Sequence, residues 1–99
     1  MPTRSTSITL NITTNTTTTQ VLDIPGEWRV QLSNTFGGAS AAIGIADGSG
    51  QTVTYSTKTS ADYVVLPVGS GDELSIVTTG GTGIDIDVTV KLVARRDEF

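Results

Sequence analysis

The sequence predicts an all-β protein, an antiparallel sandwich of about eight strands with a jelly-roll-like arrangement, and three observations predict it. From Ile84 on, apolar and polar residues alternate, with Ile84, Ile86, Val88, Val90 and Leu92 on one side and Asp85, Asp87, Thr89 and Lys91 on the other. A period of two held over that length is a half-buried strand, because a helix would scatter both sets around its axis. Shorter alternating stretches recur along the chain, separated by breaks rich in glycine and proline, at spacings that suit two antiparallel sheets. No segment carries helical spacing. Eight strands in two sheets of four is the jelly-roll count; an immunoglobulin-like sandwich is the alternative, weakened by the missing cysteine pair.

Residues 1–4 form a polar arm, and Ser5 to Ile12 is the first strand, with Ile8, Leu10 and Ile12 on its inward face. Thr13 to Gln20, TTNTTTTQ, has no apolar residue; β-branching keeps it extended but it has nothing to bury, so it reads as a solvated edge or a loop. Val21, Leu22 and Ile24 resume the apolar pattern before Pro25-Gly26, a pair suited to a tight turn. Glu27 to Asn34 then sets Trp28, Val30 and Leu32 against Glu27, Arg29, Gln31 and Ser33.

Ala41 to Ala46 is a strand of small residues, in which Gly44 admits a close neighbour, expected to be an aromatic ring. Asp47-Gly48-Ser49-Gly50 has the chemistry of a hairpin turn, so Ala41 to Ser56 reads as one hairpin, returning with Val53 and Tyr55 inward. Asp62 to Leu66 follows, then a wide turn at Pro67 to Asp72, the strand Glu73 to Thr78, and a glycine-rich reversal at Thr79 to Gly83 into the final strand. The expected core is Ile8, Leu10, Trp28, Val30, Leu32, Ile43, Ile45, Val53, Tyr55, Val64, Leu66, Leu74, Ile76, Ile86, Val88 and Val90. The domain reading is an arm at residues 1–4, a single sandwich domain at 5–96 and a tail at 97–99.

Composition narrows the function. Without histidine or cysteine, the chain lacks imidazole bases, thiolate nucleophiles, disulfides and the usual zinc ligands. General-base work would fall to carboxylates, lysines or tyrosines, and none stands in a recognisable arrangement, so the expectation is a non-enzymatic protein with no cofactor. A formal charge of −4 argues against a nucleic-acid groove or an anionic membrane surface, and no stretch has the ~18 consecutive apolar residues of a membrane helix. The amino-terminal residues lack the apolar run of a secretory leader, so synthesis in a cytoplasm is expected, and the triplets at Asn11 and Asn15 read as products of threonine content.

Three constellations have plainer explanations. Asp85 and Asp87 on one strand face, Asp72-Glu73 and Asp47 in turns could hold a hard cation, but calcium needs six to eight converging oxygens, a density found nowhere here. Trp28 could stack a sugar, yet it lies in phase with Val30 and Leu32, which points it inward. The 18 threonines are better explained as uncharged strand surface than as an ice-binding rank, since the densest run, Thr16 to Thr19, is consecutive and would point to both sides.

A short, cysteine-free chain rich in Thr, Ser and Gly, beginning MPT and carrying LPVGSGDELSIVTTGG before the alternating IDIDVTVKLV, resembles the small capsid decoration (cement) proteins of tailed bacteriophages. The resemblance implies a small β-sandwich on the outside of a phage head, assembled as a homotrimer at threefold positions, with the major capsid protein as partner, no nucleic acid and no membrane. It implies a virion location after synthesis in the host cytoplasm. A sugar-binding jelly-roll module and a tail-fibre or spike domain are the alternatives. The expected capsid contacts are Pro2, Thr3, Arg4, Arg95 and Arg96, because arginines gather beyond the first and last strands of an otherwise acidic chain.

Overall fold

A computed structural model describes residues 6–46, 51–69 and 71–95. Eight strands form: β1 (Ser7–Ile12), β2 (Thr17–Val21), β3 (Gly26–Thr35), β4 (Ser40–Ala46), β5 (Thr52–Lys58), β6 (Asp62–Val68), β7 (Glu73–Thr79) and β8 (Asp85–Arg95), with no helix among the described residues. They build two antiparallel sheets, ordered β1-β8-β3-β6 and β2-β7-β4-β5. First pairs with eighth, second with seventh, third with sixth and fourth with fifth. The chain is therefore one long antiparallel ribbon, folded back between β4 and β5 and wrapped over two sheets, which is the jelly roll. Only the β4–β5 connection stays within a sheet; the other connections cross between sheets, so the reversals around β7 are sandwich crossings and not hairpins.

The predicted last strand is the longest, and it is central in its sheet, flanked by β1 and β3. Ile86, Val88 and Val90 face Trp28, Val30 and Leu32 of β3 and, across the sandwich, Leu74 and Ile76 of β7 with Ala41, Ile43 and Ile45 of β4; all are buried. Ile8, Leu10 and Val64, on outer strands, are partly buried against this cluster. Trp28 is wholly enclosed, and its Nε1–H donates to the Ile24 carbonyl at 2.9 Å. That bond satisfies the one polar atom a core tryptophan brings with it.

Three expectations change. The second strand is Thr17–Val21, so most of the threonine run is the solvated edge and not a loop, and the apolar Leu22 and Ile24 lie beyond it. As a sheet edge it needs only one weakly covered side, which Thr18 and Gln20 supply, while Leu22 and Ile24 leave the strand and plug the sandwich end. Val53 and Tyr55 are not core: they are 60% and 48% exposed. The register explains Tyr55, since Ile43 lies opposite Ser56 but Gly44 opposite Thr54, leaving Tyr55 as the extra residue of a bulge; Val53 keeps the inward phase opposite the buried Ile45 but sits on the edge strand β5, where little covers it. The close approach at Gly44 is by backbone and not by an aromatic ring: a Cβ there would run into the Val53 carbonyl and the Thr54 backbone at that bulge.

Candidate attachment end and charged outer face

Alternating strand direction puts loops 13–16, 36–39, 59–61 and 80–84 at one end of the sandwich. The start of β1, the end of β8 and connections 22–25 and 69–72 lie at the other. The first end is tightly laced. Asn15 Nδ2 donates to the Gly81 carbonyl and Gly81 N–H donates back to Asn15 Oδ1, both at 3.0 Å, and Thr82 N–H donates to the Gly37 carbonyl at 2.9 Å. Gly37 has φ +59° and no room for a Cβ against the Thr82 carbonyl, so glycine is required there on both counts.

The second end brings the two edges of the chain together. Ser7 lies opposite Lys91, and Leu92 N–H donates to the Thr6 carbonyl at 2.9 Å. Beside them, Gly69 N–H donates to Asp72 Oδ2 at 2.9 Å, and Leu22 N–H donates to the Asp72 carbonyl at 3.2 Å, tying connection 69–72 to the segment after β2. Arg95 closes β8 opposite Gly26 and is exposed. Of the expected contact residues it is the one described; Pro2, Thr3, Arg4 and Arg96 lie outside the described residues, as do the turn at 47–50 and the tail.

The outer faces of the two sheets differ in chemistry. That of β2-β7-β4-β5 presents Thr17, Thr19, Thr52 and Thr54 around Ser75, Gly44, Ala42 and Ala46, with Glu73 its charged side chain. The face of β1-β8-β3-β6 carries both signs: Asp85 and Asp87 toward the laced end, Arg29 and Lys91 toward the other, and Glu27 on β3 beyond Arg29. Toward the laced end, Asp85 and Asp87 are gripped by two amides. Asn11 Nδ2 lies 2.8 Å from Asp85 Oδ1, 3.0 Å from Asp87 Oδ1 and 3.3 Å from the Ile86 carbonyl, and Asn34 Nδ2 lies 3.2 and 3.3 Å from the second carboxylate oxygens.

Asn34 sits opposite the inward Ile86, yet its φ of +79° swings the side chain to the outer face. Asparagine is among the few residues that adopt that conformation readily. Sequence alternation alone missed this amide, because a left-handed residue at a strand end interrupts the period of two. Among the described residues no group of three or more acidic, histidine or cysteine side chains converges as metal ligands, and no pocket opens.

Two rows nearer the chain-end side, Arg29 on β3 and Lys91 on β8 lie directly opposite one another. The ion pair of the described residues is elsewhere, Lys58 Nζ to Asp62 Oδ2 at 3.1 Å. The Asp62 carboxyl is held below its ordinary value, first by the hydrogen bond it accepts from Tyr63 N–H at 2.8 Å and then by Lys58. No family model matches the chain, and no curated protein or solved structure is significantly similar to it.

Proposed function

We propose that this protein is a structural, non-enzymatic component of a virion, a decoration protein that binds the major capsid protein on the outer surface of a tailed-phage head and stabilises the shell. The observation that carries the reading is the meeting of both chain edges at one end of a jelly roll, with Thr6 bonded to Leu92 and Arg95 beside Gly26. The sequence adds Arg4 and Arg96 next to that end, in a chain of net charge −4. Residues 1–4 add strand-like main-chain contacts to the capsid surface, while the arginines make bidentate bonds to its carboxylates. On the head the copies stand in threes at threefold positions.

The test is co-sedimentation with empty heads of a tailed phage. The intact protein is compared with one lacking residues 1–4 and one carrying Arg95→Ser and Arg96→Ser. The reading expects the intact chain to bind, both variants to bind at least tenfold more weakly, and the arginine variant to lose salt dependence. Unaltered affinity and salt dependence in both would move the contact surface elsewhere. Failure of the intact chain to bind would remove the decoration reading in favour of a sugar-binding module, for which the exposed Tyr55 and Tyr63 rings would be the stacking groups.

A further inference from the structure

We infer that the outer face of the β1-β8-β3-β6 sheet is a self-complementary surface on which a second copy of this chain docks. The inference does not rest on the capsid reading: the pair is a species of the free protein, and because its axis crosses the strands it points the two attachment ends opposite ways, so it parts before copies stand on a shell. Along β8 the outward residues run Asp85, Asp87, Thr89, Lys91, so a carboxylate and an ammonium stand two residues to either side of Thr89, about 7 Å each way. The row through Thr89 is uncharged from edge to edge: Thr9, Thr89, Gln31 and Tyr63.

A twofold axis lying in the contact plane along that row turns one copy onto the other. It sets Lys91 of each copy against Asp87 of its partner. Arg29, beside Lys91, falls over the opposite acidic zone, where its long guanidinium side chain reaches the two carboxylates. Two cations then meet two carboxylates in each half of the contact.

Within one copy these charges form no direct ion pair among the described residues; the carboxylate on the cationic end is Glu27, two residues (about 7 Å) along β3 from Arg29. Arg29 and Lys91 enter no ion pair among the described residues and face each other across a strand pair, an arrangement that costs stability. Asp85 and Asp87 are oriented by amides, which fix the carboxylates without bringing a cation to them. A second copy relieves the first repulsion and supplies the missing cations.

The same face carries exposed apolar surface at its β6 edge, Tyr63 at 57% and Val65 at 41%. Tyr63 lies in the axis row and so meets its own counterpart. Strands of 6, 11, 10 and 7 residues about 4.8 Å apart offer roughly 550 Å² of sheet, below the ~800 Å² per partner of a standard stable pair and in the range of a weak one. The other outer face, with Glu73 as its charged side chain, has no such pattern.

Sedimentation velocity on the full chain, from micromolar to several hundred micromolar and at low and high salt, reads the outcome. The expected species is twice the 10.3 kDa chain, weakened by salt on the order of tenfold. Lys91→Glu and Asp87→Lys should each abolish pairing, and an equimolar mixture of the two should restore it, because in the mixed pair the new carboxylate of one variant meets the new ammonium of the other. Asp87→Lys also removes a partner of Asn11 and Asn34, so Thr89→Arg, which sets a cation against its own copy on the axis, serves as the second disruptive variant. A monomer at all concentrations, a trimer in place of the pair, a pair indifferent to Lys91→Glu and Thr89→Arg, or folded variants whose mixture stays monomeric would each overturn the inference.

Discussion

Thr78 is enclosed in the core with its hydroxyl oxygen unpaired, although its backbone N–H is bonded to the Thr16 carbonyl at 2.9 Å. A buried hydroxyl without a partner loses its hydration for nothing, so an isosteric methyl is the better fit. Thr78→Val is expected to stabilise by about 1 kcal/mol, a rise in Tm of about 4–8 °C in a thermal melt. Gly37→Ala should act the other way, by at least ~2 kcal/mol, since it combines a left-handed backbone with a clash against the Thr82 carbonyl. Gly38, also left-handed at φ +84° but with open space around it, is the control that isolates the clash.

The Asp62 carboxyl adds a pH effect at the same scale. Its folded value lies below the ordinary 3.8, so the ionised form is the one folding favours. Its stabilising contribution is complete above the unfolded value and fades as pH falls through the folded one. The gap in melting temperature between the native chain and Asp62→Asn should accordingly be present at neutral pH and close below about pH 3.8.

Among elements, the central strands and the edge strands ask different things of the sequence. β3 and β8 are buried on one side along most of their length, so a strict period of two is needed to separate core from solvent, and both were legible from it. β2 and β5 sit at opposite edges of the second sheet, where a strand can pair through its backbone with little to bury. Composition then says little about where such a strand begins; a one-residue bulge suffices to take Tyr55 off the inward face, and Val53, though opposite Ile45, is left uncovered at the edge. The amide grip on Asp85 and Asp87 was half legible: the carboxylates follow from alternation, but their partners come from β1 and β3 through register that no local pattern encodes. Substitution separates the two kinds of strand. Val88→Asp buries an unpaired carboxylate at a fully enclosed site and should prevent folding, whereas Val53→Asp, on an exposed bulged edge, should change stability by less than about 1 kcal/mol. Circular dichroism of the two purified variants decides between them.

At the scale of the whole molecule, the domain extends 46 × 25 × 21 Å. Its eleven-residue β8 spans about 36 Å, so the long axis follows the strands and separates the laced end from the end that holds both chain edges. An elongated body with one tied end and one end of chain edges suits upright attachment, in which the laced loops face solvent. A cryo-electron microscopy map of heads decorated with this protein tests that claim most directly. The account predicts added density on the outer surface with its long axis along the local shell normal and the end bearing Thr6 and Arg95 against the capsid. Heads without added density, or copies standing on the Asn15, Gly37 and Gly81 end or lying with a sheet face against the shell, would contradict it.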